Sequence, residues 1–467
     1  MRTVRVRALL GGVALAAALA VQCVVVNADT LFGAMEKAYV TNPTLNAARA
    51  GQRAVDELVP QALSGWRPTI GVGGEIDRIT GSQSVEIPDE GGFEDTVITN
   101  NATSGNLGIE LNQPLFNGFR TVEGTKAAEA RVDAGRQGLL ETEQQVLFNV
   151  VQAYMNVYAG RQIVVLRKQD VAALQEQVRA ANERFAVGEI TRTDVAQAEA
   201  RLAESESALV DAQTQLARDV ASYVQAVGNE PGKLNYPKIS KLPKSMQTAL
   251  DVAGEINPRL LAQAFVEVAA NSDVGVVRSG LLPSAGLTAA AVVDDPDLGI
   301  DDNGSQSALI GASFSMPLYE AGLVYSQVRE AKQRASQRRI EVIEIARDVR
   351  AAVVQSWNAY VGLGQIIKNT RTQVRAAQLA LDGVQQEYQA GTRTTLDVLD
   401  AQRELVFAQV LQVVAEKNRV VAGYQLLASI GQLTATHVGL KVPIYNPEEN
   451  YRQVRGKWFG TGANTIE

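Results

Sequence analysis

The chain has 467 residues, with 44 Lys and Arg against 51 Asp and Glu, a formal net charge of −7, one cysteine and one histidine. An acid-leaning balance excludes general affinity for nucleic acid, and a single cysteine excludes a disulfide framework. His437 has no Gly-rich phosphate loop, Ser/His/Asp pattern or metal-spaced ligand set around it, so no enzyme, cofactor or metal site is expected.

At the N-terminus, Arg2, Arg5 and Arg7 precede an apolar run that closes on Val26-Asn27-Ala28, the pattern of a signal peptide over residues 1–28. Lipidation of Cys23 is disfavoured by Gln22, where a small residue is needed. Cleavage after Ala28 leaves a cysteine-free chain with a net charge of −10, suited to an oxidising compartment. No later segment offers the ~18 uninterrupted apolar residues of a membrane-spanning helix, so any membrane insertion must use strands.

Residues 30–63 have a helical pattern. Residues 69–77 then alternate, with Ile70, Val72 and Ile76 on one face and Thr69, Glu75 and Asp77 on the other; 106–112 alternate again through Leu107, Ile109 and Leu111. Between them lies the most loop-like stretch, "GSQSVEIPDEGGFEDTVITN". A helix is expected from about Thr121 to Val187, a turn at Gly188, and a return helix from about Thr193 to Val227. At ~1.5 Å per residue the outgoing helix covers about 100 Å, the return helix about 53 Å and the opening helix about 50 Å. Stacked end to end, the two shorter helices match the long one.

The plan then recurs. Gly188, Thr191, Asp194, Val195 and Ala198 reappear 203 positions later as Gly391, Thr394, Asp397, Val398 and Ala401, and Pro114-Leu115-Phe116 as Pro317-Leu318-Tyr319. Such spacing marks an internal repeat. The expected organisation is a first repeat at 29–232 with a strand hairpin at 67–114, a second at 233–432 with a hairpin at 283–317, and a tail at 433–467. In the second hairpin Leu287, Ala289, Ala291 and Val293 alternate, as do Ile310, Ala312, Phe314 and Met316. Asn229 to Lys244 and the tail are expected to form a belt around the middle.

Four strands cannot close a barrel, and an open sheet edge cannot survive in lipid. Three chains would supply twelve strands, an even number within the range of known outer-membrane barrels. The strand exits "PLFNG" and "PLYEAG", the tips "RFAVGEITRTDVAQAEARL" and "EYQAGTRTTLDVLDAQREL", and the repeat plan together resemble the TolC family of outer-membrane efflux and secretion channels. The resemblance spans essentially all of the mature chain. It implies a homotrimer in the cell outer membrane, with a twelve-stranded barrel continuous with a periplasmic helical barrel. It also implies outer-membrane lipid, a periplasmic adaptor and an inner-membrane RND or ABC transporter as partners, and drugs or proteins as cargo. An exported trimeric coiled-coil spacer or adhesin would explain the helices but not the matched strand hairpins.

In such a duct the turns at Gly188 and Gly391 lie farthest from the strands. Thr191, Thr193, Thr394 and Thr395 are suitable N-caps, and Asp194 and Asp397 suit a helix N-terminus. Asp400 lies one turn beyond Asp397, whereas its counterpart is Gln197. In three chains Asp397 and Asp400 would form pore-lining acidic rings. By the resemblance, Tyr388 and Arg393 are expected to bond Thr193 and Asp194 and keep the entrance shut until partner proteins separate the hairpins.

Overall fold

The computed structural model describes residues 30–463 apart from 90, 91, 240 and 296–303; the signal-peptide and Cys23 expectations lie outside the described residues. Its elements are α1 (Leu31–Thr41), α2 (Pro43–Asp56), α3 (Leu58–Leu63), β1 (Thr69–Asp89), β2 (Gly92–Asn117), α4 (Arg120–Ala186) and α5 (Arg192–Val227). The same order follows in α6 (Met246–Ile256), α7 (Pro258–Arg278), β3 (Ser284–Asp295), β4 (Ser305–Ser315), α8 (Leu323–Gln389) and α9 (Thr395–Ser429). Two short helices, α10 (Ala435–Val438) and α11 (Pro447–Val454), close the chain. The two long helices, α4 and α8, have 67 residues each.

The expected single helix over 30–63 is three helices, and the reason is chemical. Asn42 ends α1 and caps α2: its Oδ1 accepts from the Thr44 and Leu45 amides at 3.0 and 3.3 Å, while Pro43 fills the first helical position without needing a partner. Its Nδ2 donates to the Ala226 carbonyl, 3.2 Å away in the last turn of α5. Asn257 repeats the device, accepting from Leu260 N at 3.2 Å and donating to Ser429 O at 2.8 Å near the end of α9. One asparagine thus starts a helix and ties it to the end of the return helix. These ties make each pair of shorter helices one composite column beside a long helix.

The sheet is antiparallel, in the order β1-β2-β3-β4. Its two faces differ in the four-stranded part. Ile70, Val72 and Ile76 pair with Leu111, Ile109 and Gly105, and the same face continues through Ala289, Ala291, Val293 and Ile310. Most of these side chains are exposed, Ile70 by 66%, Val72 by 72% and Ile310 by 86%, while Leu111 and Ala289 are half-buried. The opposite face carries Gly71, Gly73, Glu75, Asp77, Glu110, Thr288 and Asp294 together with Val292 and Leu309, and every charge on it in this part is negative.

The stretch expected to be a loop is strand. β1 and β2 stay paired without a register shift from Thr69↔Asn112 to Asp89↔Gly92, so the insertion lengthens the hairpin. Its many β-branched residues, among them Ile79, Thr80, Val85, Val97, Ile98 and Thr99, favour the extended backbone despite the loop-like Gly, Ser and Asp around them. Among the described residues β3 ends at Asp295 and β4 starts at Ser305, and beyond Gly105 the first hairpin runs on there as a two-stranded ribbon.

Both sheet-to-helix junctions need two consecutive left-handed residues, Gly118 and Phe119 at φ 63° and 66°, then Ala321 and Gly322 at 49° and 79°. A Cβ on Gly118 would meet Ser279 O at 2.6 Å, so only glycine fits there. Phe119 offsets its strained backbone by packing edge-on against Phe116, ring centroids 5.1 Å apart.

The main core lies at mid-height, where α1, α4, α5, α9 and the irregular segments meet around the fully buried Tyr39, Tyr154, Tyr223 and Tyr424. Tyr154 holds the segment after α5, donating to Asn235 O at 2.8 Å and accepting from Asn235 N at 3.0 Å. The tail starts at this level but does not stay there. Ala435 N donates to Glu143 (2.7 Å), Tyr445 N to Tyr39 Oη (3.1 Å) and Asn450 Nδ2 to the buried Asp56 (2.9 Å), and Arg67 reaches Lys457 O at 2.8 Å. The first half of the tail therefore packs into the mid-height core, and the rest continues as a strap beside α1–α3 to the base of the sheet.

Candidate functional site: the two helical tips

Each tip is built by the same local chemistry. The Gly188 amide donates to Phe185 O and the Gly391 amide to Tyr388 O, both at 3.0 Å, with φ of 79° and 78° and nothing within 4 Å of either position's missing Cβ. The glycines are required by backbone conformation alone. Thr191 and Thr394 then start the return helices with full capping boxes. In both, the aspartate Oδ2 accepts from the threonine amide at 2.9 Å and its hydroxyl at 2.8 Å. These bonds, the backbone one first, lower the pKa of Asp194 and Asp397 below the usual aspartate value.

The expected gate contacts are not formed within the chain. Arg393 Nε bonds Glu387 Oε2 of its own hairpin at 2.7 Å, which raises its pKa further. Asp194 is engaged by Thr191, and the exposed Thr193 caps nothing. The Tyr388 hydroxyl lies 3.2 Å from that of Thr395, a residue buried beneath it rather than a cap.

Other residues join the two hairpins. Arg201 Nη2 on α5 reaches Asp400 Oδ1 on α9 at 3.1 Å, with Nη1 on Glu204 at 2.9 Å and Arg403 adding a longer contact to Asp400 at 3.7 Å. Asp170 on α4, only 6% exposed, accepts from Ser205 at 2.7 Å and from Gln402 of α9 at 3.2 Å. Nearer the turn, the Arg184 guanidinium stands 4.6 Å from the centre of the Tyr388 ring. Leu399, 2% exposed, closes the contact against Leu174, Ala181, Val195 and Ala198. Asp400 is thus bound across the hairpins, and Asp397 is occupied as a cap.

Sequence reasoning missed Arg201, Asp170, Gln402 and Arg184. Asp170 carried one signal, an acid directly ahead of the apolar series Val171, Leu174 and Val178. The arginines carried none.

The comparisons with known proteins agree with this architecture. The profile of the family described as "Outer membrane efflux protein" matches residues 34–229 and 249–432. The outer membrane efflux protein BepC of Brucella suis is 42% identical over 433 residues, covering 92% of each chain. The outer membrane protein TolC of Escherichia coli is 27% identical over 450 residues, 91% of this chain and 87% of that one. Among solved structures, the CmeC outer membrane channel of Campylobacter jejuni superposes with a TM-score of 0.75 at 16% identity, over 91% of this chain and 89% of its own. The chain therefore belongs to the outer membrane efflux protein family, the TolC family of outer-membrane channels for efflux or type I secretion.

Proposed function

We propose that three copies of this chain form one exit duct, with twelve strands closing a barrel in the outer membrane and the helices forming a tunnel into the periplasm. The observation that carries this reading is the sheet. Its apolar face is exposed, its other face is charged, and β1 and β4 are edges without a partner among the described residues. In lipid those edges must be paired, and the matching edges available are those of further copies.

The helices support the same assembly. α4 buries 24 of its residues and α8 only 9 of an equal number. α8 leaves Leu323, Tyr325, Ile340, Val361 and Leu379 more than half exposed. The α6–α7 segment is long and apolar, yet only 6% of its most apolar part is buried. These uncovered flanks suit neighbouring subunits.

The gate in this reading is the contact between the hairpins. Arg201–Asp400, Asp170–Gln402 and Arg184–Tyr388 hold the second hairpin to the first, and a periplasmic adaptor with its inner-membrane RND or ABC transporter separates them. Arg393 and Thr193, exposed at the extreme tip, are placed to meet the neighbouring chain. Cargo, drugs or proteins, is chosen by the transporter. Mass measurement of the detergent-extracted protein together with bilayer conductance tests the duct: a monomer or a non-conducting particle refutes it.

A further inference from the structure

We infer that the cavity behind the hairpin contact is a binding site for small aromatic anions, carboxylates or sulfonates of about benzoate size. It lies among α4, α5 and α9, just inside the Arg201–Asp400 pair, with a volume of about 240 Å³. That is below the ~300–1,000 Å³ of drug-sized sites, so the occupant must be a single ring with a short polar head.

The charges on its wall select the sign of that head. Three arginines line the cavity, Arg167, Arg201 and Arg403, beside two acids, Asp170 and Glu204. Arg201 is already committed to Glu204 and Asp400. The buried Asp170 accepts from Ser205 with one oxygen and from Gln402 with the other, and Glu204 is paired with Arg201. Arg403 has only its 3.7 Å contact with Asp400, and Arg167 makes no hydrogen bond or ion pair with any described residue. The donors left over are therefore guanidinium forks, whose planar geometry matches a carboxylate or sulfonate.

The rest of the wall selects the ring. Leu174 and Leu399 form an apolar floor, 5% and 2% exposed, and Phe407, 52% exposed, stands at the mouth. An aromatic ring on that floor exchanges water for packing at no cost to a buried polar group. No single hairpin contains the site, because α9 supplies Leu399 and Arg403 while α4 and α5 supply the arginine and leucine opposite. Occupancy consequently favours docked hairpins, by mass action; this last step rests on the proposed gate.

The test titrates benzoate, and benzamide as its uncharged counterpart, into the full-length detergent-solubilised protein, with binding read by saturation-transfer NMR. Benzoate is expected to bind at least tenfold more tightly than benzamide. Arg167→Gln is expected to remove that advantage and Arg167→Lys to restore part of it, with thermal melting unchanged because the Arg167 side chain holds nothing else. Equal affinities for the two probes, or benzoate binding unaltered in Arg167→Gln, overturn the site. In planar bilayers bound benzoate is expected to lengthen closed dwell times. Arg167-dependent binding without any change in dwell times upholds the site and refutes the hairpin gate.

Discussion

Removing the Arg201–Asp400 pair is the most direct probe of the proposed gate. Its side chains are 27% and 46% exposed and its N–O distance is 3.1 Å, so the pair belongs near the upper end of the range for partly exposed ion pairs, about 0.5–1 kcal/mol. Three hairpins parting together in the proposed trimer would release about 1.5–3 kcal/mol, a shift of roughly 10- to 100-fold in the open-to-closed ratio. Asp400→Asn and Arg201→Gln should each raise open probability in a planar bilayer by that order. The double variant should add little to either single one, because both remove one interaction. High salt should shrink the difference between wild type and the variants, since a pair this exposed is screened. Wild-type open probability in both single variants refutes the clasp, and strictly additive effects show that the two residues do not act on each other.

Four further outcomes follow from the geometry. Thr191→Ala and Thr394→Ala remove a capping box each and should cost about 1 kcal/mol of local stability, seen as faster amide exchange confined to the respective tip. The depressed pKa values of Asp194 and Asp397 mean that their stabilisation is complete above the ordinary aspartate pKa of about 3.9 and is lost as pH falls through the lower folded values; tip exchange rates should rise below pH 4. Glu143 is the opposite case, because burial raises its pKa, so the folded state loses stability as pH rises from the ordinary glutamate value through the raised one. Glu143→Gln should therefore melt higher than wild type at pH 7 and like it at pH 4, while its amide oxygen still accepts from Ala435. If the acidic face of the sheet lines the proposed pore, neutralising Glu75, Asp77, Glu110 and Asp294 together should reduce its preference for cations, read as a smaller reversal potential across a salt gradient; an unchanged potential refutes that placement.

Legibility in the sequence followed the range of each interaction. The tips were readable because a capping box and a left-handed glycine are local: Thr191, Asp194 and Gly188 lie within seven residues. The face separation of the sheet was readable for the same reason, since a strand repeats every two residues. The ribbon beyond Gly105 was misread because Gly, Ser and Asp suggested a loop, whereas a continuous ladder with many β-branched residues held the strand. The two asparagine–proline pairs were visible as matching marks, but their amides reach across to Ala226 and Ser429, contacts that no spacing discloses. The clasp lay furthest from view. Arg201 and Asp400 are 199 positions apart, and pairing them requires the relative rotation of three helices about their axes.

The equal lengths of α4 and α8 make the molecule a ruler. Each long helix is covalently continuous for 67 residues, about 100 Å at 1.5 Å per residue, so the depth of the mouth below the sheet is written in residue count and cannot be adjusted by repacking. In the proposed assembly, a partner standing on the far membrane has to be built to that gauge. Shortening α4, α5, α8 and α9 together by two turns would withdraw the mouth by about 10 Å, leaving a sound channel that its partner can no longer reach.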